Sequence, residues 1–385
     1  MGSALQPKRR YDGVDGPRVA IAHDYLTQHG GAERAVLSMA KAFPNAPIHT
    51  MLYNPSTTYP EFAERDIRVA PINKLAPLRK HHRVGLPIFP LVAQSMFVDA
   101  DIVLTSTSGW AHGFRTHGRK LVYCYSPAKW LYLPDKYLGE RPSMSKRLGL
   151  RLAAPYLKPW DRRAARSCEK YLANSSLTRD RIAEVYGIQA DVVFTPVAMS
   201  RSNNLQPVPE MEGWTSVDGA FYLCVSRLLS YKNVDAVVRA FAGSDRRLVI
   251  VGKGPEANRL RDLKTPNVLM LSDLTDAQMA WLYKHCRALV AASYEDLGLT
   301  PIEAGVWGRP TVALRFGGFL DTIDEGITGI YFDEPEPHAI ADALDRFEST
   351  MFDPAKIRSH VEQFNEEHFA EKLYAAVDAL TADVC

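Results

Sequence analysis

Short apolar runs of strand length recur along this chain, and most are followed by a stretch with helical spacing. Residues 18–23, 47–53, 101–105, 120–124, 171–174 and 191–195 read as buried strands, with helices over 32–43, 146–169 and 176–186. Strands that alternate with helices form parallel sheets covered on both faces. The alternation lapses at 200–219, which holds Pro207, Pro209 and Gly213. It restarts with strands at 221–225, 247–252, 267–271, 288–292, 310–314 and 329–332 and helices at 234–241, 256–263, 276–286 and 337–347. A chain of 385 residues exceeds one typical core. The reading is therefore α/β, with two Rossmann-like parallel-sheet domains in series. The boundaries are a disordered tail at 1–16, a first domain at 17–199, a linker at 200–219, and a second domain at 220–362.

Charge is uneven between the halves. Residues 1–200 hold 28 Lys and Arg against 16 Asp and Glu, whereas 201–385 hold 18 against 28. A basic half suits an anionic membrane, nucleic acid or a phosphorylated substrate. Residues 75–96 mix apolar side chains with Lys74, Arg79, Lys80, His81, His82 and Arg83, which suits either a membrane surface or solvated helices split by prolines. The helix at 146–169 is also basic, and Pro155 and Pro159 are expected to kink or split it. Five scattered cysteines (Cys124, Cys168, Cys224, Cys286, Cys385) show no C-x-x-C spacing, which speaks against a disulfide framework or a zinc site and suits a reducing cytoplasm. The polar first sixteen residues are neither a signal peptide nor a membrane span.

In open α/β sheets, ligands bind beyond the carboxyl ends of the strands. Each strand-to-helix turn therefore needs inspection. Tyr294-Glu-Asp-Leu-Gly298-Leu299-Thr300-Pro301-Ile-Glu303-Ala follows the strand at 288–292. One reading is structural: Thr300-x-x-Glu303 is a capping box with Pro301 at the first helical position. The other is functional: a helix N-terminus suits phosphate, and Glu295 and Glu303 suit hydroxyl groups. Upstream, Ser226-Arg227-Leu-Leu-Ser-Tyr-Lys232 joins another strand to its helix. A lysine at a helix N-terminus opposes the macrodipole, and an anionic ligand would compensate it. Arg227 can reach the same anion.

Weaker signals lie elsewhere. Gly30-Gly31 after the first strand lets a backbone approach a phosphate, or merely makes a tight turn. His112 and Tyr125 follow two strand ends. Gly317-Gly318 follows another and could aim N–H groups at a hydroxyl. Gly252-Lys-Gly254-Pro-Glu-Ala fits G-x-G-x-x-A with Asp273 beyond it, as a nicotinamide dinucleotide site requires, but Pro255 lacks a donor and Glu256 repels a pyrophosphate. No D-x-D motif bracketed by apolar strands and no Cys/His cluster suggests a metal.

Taken together, these motifs resemble glycosyltransferase family 4, the retaining enzymes of GT-B fold, and look closest to the WbaZ-like mannosyltransferases. The resemblance covers nearly the whole chain after Gly16. It rests on His23-Asp24-Tyr25-Leu26 with Gly30-Gly31-Ala32-Glu33, on Gly109-Trp-Ala-His112-Gly, Ala173-Asn174-Ser175, Ser226-Arg227-Leu with Lys232, Val251-Gly-x-Gly254-Pro255, and Glu295 with Glu303. It implies two domains facing each other across a cleft, with a terminal helix at 363–385 packing back on the first. Arg227 and Lys232 would hold a donor diphosphate, Glu303 the ribose, and Glu295 the transferred sugar. Gly298, Leu299 and Thr300 would lie near the phosphates, Gly30 and Gly31 would approach them from the first domain, and Gly252, Gly317 and Gly318 would line the donor. The donor would be a nucleotide sugar, GDP-mannose favoured and a UDP-sugar the alternative, with neither metal nor cofactor. The acceptor would be a glycan or a polyprenyl-linked oligosaccharide, with no nucleic-acid partner. The protein would be cytoplasmic, at the inner face of the cell membrane where the basic first domain touches anionic lipid.

Two departures bear on the site. Relatives carry His where Tyr125 stands, a residue that contacts the donor sugar; here either His112 bears more of that role or the sugar differs. Asp321 stands where relatives often have Glu. A nicotinamide oxidoreductase, a sugar-nucleotide epimerase and a catalytically weak binding protein of this fold remain the competing readings.

Overall fold

A computed structural model describes residues 16–80, 85–134, 144–197, 204–214 and 219–382. The N-terminal tail and His81, His82 and Arg83 lie outside the described residues. The chain divides into two compact units, one of residues 1–196 and 366–385, the other of 197–365.

The first unit is a seven-stranded parallel sheet. Its strands are β1 (Val19–Leu26), β2 (Ile48–Tyr53), β3 (Ile67–Val69), β4 (Ile102–Thr107), β5 (Arg119–Cys124), β6 (Lys170–Ala173) and β7 (Ala190–Val192), in the order β3-β2-β1-β4-β5-β6-β7. Ile21 lies opposite Ile48 on one side and Leu104 on the other. The chain adds strands outward from β1 and then reverses direction at β4. That reversal leaves a crevice beyond the carboxyl ends of β1 and β4. β1 runs further than its sequence suggests, through Asp24, because Asp24 is buried and hydrogen-bonded rather than turned to solvent. His49 is buried in β2, and desolvation, with Arg68 nearby, lowers its pKa to about 4.

The helix Glu366–Ala382 belongs to this unit. Phe369, Leu373, Val377 and Leu380 join the core formed by Ile21, Leu104 and Leu121. Lys41 holds the Glu366 carboxylate at 2.8 Å. The basic helix Met144–Arg166 is continuous through Pro155 and Pro159, contrary to the expected break. Both prolines lie on its exposed side, where the carbonyls they leave unpaired face water.

The second unit is a six-stranded parallel sheet: β8 (Tyr222–Val225), β9 (Leu248–Val251), β10 (Val268–Leu271), β11 (Leu289–Ala291), β12 (Thr311–Leu314) and β13 (Gly329–Phe332), in the order β10-β9-β8-β11-β12-β13. Its reversal falls between β8 and β11, where Leu289 pairs with Leu223. These strands are buried on both faces, hence their unbroken apolar runs. The segment expected to be a linker contributes Val208 and Met211 to this core, so the described part of it is packed structure of the second unit.

Candidate functional site

The loops after β8 and β11 meet at the reversal point of the second sheet. Asn233, in the left-handed conformation before the helix Val234–Phe241, donates its side-chain N–H to the Ala292 carbonyl at 2.8 Å, tying the two loops together. Lys232 ends a short 3₁₀ turn, Ser230–Lys232, and is buried. Its ammonium pairs directly with Glu295, which also accepts a 3.0 Å hydrogen bond from Ser293. The cation that sequence left uncompensated therefore has an internal anion. Arg227 is exposed, and its guanidinium reaches the Tyr231 hydroxyl at 3.3 Å. The Lys232 ammonium lies 5.1 Å from the centre of the Tyr231 ring. Arg227, Tyr231, Lys232 and Glu295 thus form one connected group.

The capping-box reading of Glu303 fails. The helix Leu299–Val306 starts two residues earlier than expected, with Gly298 as its N-cap at φ 77 and no side-chain cap. Thr300 and Pro301 are already helical, so Thr300 cannot cap. A left-handed N-cap with no side chain leaves the first N–H groups of Leu299 and Thr300 outside the intrahelical ladder. Glu303 instead accepts a hydrogen bond from Tyr283, whose ring is fully buried in the helix Asp276–His285. Burial next to that carboxylate pushes the phenol's pKa well above its usual value, so Tyr283 stays a donor.

Three glycines serve the chain's own backbone. A Cβ at Gly252 would lie 1.8 Å from the Ser226 carbonyl oxygen, and one at Gly254 would lie 2.1 Å from that of Leu228. These glycines let the 252–256 turn press against the Arg227 loop. The Cβ side of both glycines is taken up by the chain's own backbone, and Asp273 pairs with Lys253. The dinucleotide reading loses its parts, and Gly252 is a packing residue. At Gly318 a Cβ would lie 2.1 Å from Leu297 Cα, and the Gly318 N–H donates to the Glu295 carbonyl at 3.1 Å. That N–H is spent inside the protein. Gly317 takes φ 57 to bring the loop there.

In the first unit the expected residues sit differently. His112 is buried, with Nε2 3.0 Å from Asp161 and Nδ1 3.2 Å from the Tyr171 hydroxyl, and its ring packs near Trp160. This is a core histidine with no ligand-facing edge. The Tyr125 hydroxyl donates to the Ala32 carbonyl at 3.1 Å and lies 2.9 Å from Ser106 Oγ. Burial raises its pKa well above the usual phenol value. Tyr125 is therefore committed to holding the helix Gly31–Ala42 against β4. Gly30 caps that helix and Gly31 begins it. A Cβ at Gly30 would strike Glu33 Oε2 at 2.3 Å. The space next to the glycine pair is thus filled by the chain's own carboxylate, which is buried with Oε2 unpartnered among the described residues. Desolvation raises the Glu33 pKa, opposed by His23.

Asp24 stands in the sequence only as part of the His-Asp-Tyr-Leu motif, with no role of its own. It accepts hydrogen bonds from Thr107 Oγ1 at 2.8 Å and from the backbone N–H groups of Ser108 (2.7 Å), Trp110 (3.1 Å) and Ala111 (2.7 Å). An acid within an apolar strand was the signal, and it was assigned to a turn.

Two parallel-sheet units, each reversing its strand order within the sheet, match the GT-B architecture. A model described as "Glycosyltransferase Family 4" matches residues 29–201, and one described as "Glycosyl transferases group 1" matches residues 213–372. The chain is a GT-B glycosyltransferase related to the members of these families. The alpha-1,3/1,6-mannosyltransferase ALG2 of Homo sapiens is 26% identical over 430 residues, covering 98% of this chain and 99% of that protein. The GDP-mannose-dependent alpha-mannosyltransferase of Corynebacterium glutamicum is 29% identical over 51% of this chain and 48% of its own length. The crystal structure of Anabaena HepE in complex with UDP superposes with a TM-score of 0.67 at 16% identity, covering 94% of this chain and all (100%) of that one.

Proposed function

We propose that this protein moves a hexose, mannose favoured, from a nucleotide sugar to a glycan or lipid-linked acceptor, with retained configuration and without a metal. The observation that carries the reading is the Lys232–Glu295 pair beside Arg227, at the reversal point of a sheet whose next helix presents uncapped N–H groups. A diphosphate exchanges for the carboxylate on Lys232, adds Arg227, and takes the N–H groups of Leu299 and Thr300. Glu295, released from Lys232, turns to the transferred sugar. Tyr283 keeps Glu303 oriented to accept from ribose hydroxyls. The sugar C1–O bond to phosphate breaks as the acceptor oxygen bonds to C1 on the same face, and the leaving phosphate oxygen receives the acceptor's proton. Arg227 and Lys232 stabilise the charge that develops on the leaving diphosphate. Among the described residues no group of three His, Cys, Asp or Glu is placed to hold a metal ion.

The mannose preference is drawn from the two mannosyltransferase relatives and GDP as base from the Corynebacterium one, while the WbaZ-like sub-family rests on the motif resemblance alone. Cytoplasmic placement belongs to the same proposal; among the described residues no helix is long and apolar enough to cross a membrane. The test is donor hydrolysis across GDP- and UDP-sugars, with calorimetric binding of GDP and UDP. Turnover of a GDP-hexose that Arg227→Ala reduces supports the reading. Failure of every nucleotide sugar to bind ends it.

A further inference from the structure

The loops after β8 and β11 are joined by two bonds that differ in kind. One is the Lys232–Glu295 pair; the other runs from the Asn233 side-chain N–H to the Ala292 carbonyl at 2.8 Å. Both leave neighbouring residues of the first loop and end close together in the second. The ion pair joins two side chains, and its carboxylate is 29% exposed, so an anion from solvent can take its place on Lys232. The second bond ends on main chain. Ala292 is 2% exposed and follows directly on the last residue of β11, where no solvent anion competes for the donor.

The backbone at Asn233 singles out the same point. Among the described residues only Asn233 and Asp273 are non-glycine residues with positive φ, and Asn233 stands at 52°. Asparagine tolerates that region better than most side chains, yet glycine would occupy it without strain. Asn233 is not kept as a cap either, because it starts the helix Val234–Phe241 with no side-chain cap bond. Its amide is spent on the neighbouring loop instead. Backbone strain held at such a junction is expected where geometry serves function.

We propose that Asn233 is a positioning residue, which holds the loop after β8 on the loop after β11 while the Lys232–Glu295 pair is open. The inference rests on the reading that a diphosphate replaces Glu295 on Lys232. In the free protein the two bonds share the load. Once the ligand separates Lys232 from Glu295, the bond from Asn233 to Ala292 carries it. Lys232 then stays beneath the diphosphate, and the charge of the leaving group meets a cation already in place.

The first test needs no nucleotide. Asn233→Gly permits the same backbone angle and removes the tie. It lowers Tm by about 2–4 °C in the parent. In a Glu295→Gln background, where the ion pair is gone, the fall is about twice as large or more. Asn233→Asp keeps size and left-handed preference but cannot donate to a carbonyl, and it behaves as Asn233→Gly does. In calorimetry both single variants bind UDP or GDP about ten-fold or more weakly than the parent, although Lys232 and Arg227 are untouched. The proposal is overturned if the stability costs of Asn233→Gly and Glu295→Gln simply add, since a merely local turn residue would give that result. It is equally overturned if Asn233→Asp matches the parent, or if the parent and Asn233→Gly bind nucleotide equally well. A parent that binds no nucleotide ends the donor reading, and the tie between the loops is then decided by the stability cycle alone.

Discussion

Breaking the Lys232–Glu295 pair from either side separates its structural worth from its role toward a ligand. The Lys232 side chain is 7% exposed and that of Glu295 29%. Glu295→Gln leaves a buried ammonium without its counter-charge, at a cost of about 3 kcal/mol. Lys232→Met leaves a carboxylate that still has Ser293 and some water, at a cost of about 1–2 kcal/mol. The double variant replaces the pair by neutral groups and returns to within about 1 kcal/mol of the parent. The coupling is then on the order of 3 kcal/mol, read from urea midpoints at unchanged slope. Binding sorts the variants differently. Lys232→Met loses GDP or UDP affinity about ten-fold or more, whereas Glu295→Gln keeps or gains it, because no internal anion competes. Additive stability costs, or undiminished nucleotide binding by Lys232→Met, would refute the argument.

Three other outcomes are accessible. His49 is buried neutral, with its pKa lowered to about 4, so the unfolded chain takes up its proton first as pH falls below the unfolded value. Stability is full above about pH 6.5 and falls toward pH 4; relative to His49→Leu, the parent loses about 2 kcal/mol between pH 7 and pH 5 in urea unfolding. Glu33 has the opposite sign: its raised pKa makes the ionised form unfavourable in the fold. Glu33→Gln therefore melts higher than the parent at neutral pH, and the gain shrinks on acidification. Gly318→Ala places a Cβ against the Leu297 backbone. It costs about 1–3 kcal/mol and abolishes donor turnover by moving Glu295, while a unit-1 substitution such as Leu91→Ser leaves turnover intact.

The alternation of apolar runs was enough to read every strand except β3, because strands buried on both faces carry an uninterrupted signal, whereas Ile67–Val69 is a short, largely exposed edge strand. The local chemistry of Arg227, Lys232 and Glu295 was also legible, since a lysine near a helix start and spaced glutamates break ordinary patterns. What sequence could not show was which internal group answers which. Lys232 meets Glu295 across adjacent strands, 63 residues apart. Glu303 looked like a cap because Thr300 stood three residues before it, yet the helix begins at Leu299 and Tyr283 takes the carboxylate. His112 and Tyr125 lie in ligand-facing loops by position but turn inward, a choice made by Asp161, Ser106 and Ala32. Gly252 and Gly318, read as lining a ligand, proved to be contacts of backbone on backbone, which leave no trace in a motif.

Asp24 carries a consequence for how the first unit tolerates change. Its carboxylate binds three main-chain N–H groups of the loop after β4 and one hydroxyl. The instructions for that loop's shape are therefore written in a different strand, 83 to 87 residues away. Since most of the bonds go to main chain, the side chain at 108 is free to diversify while the contour persists, whereas Ala111 is held small by the core around it. A change at position 24 alone would erase the contour with the loop's own sequence untouched.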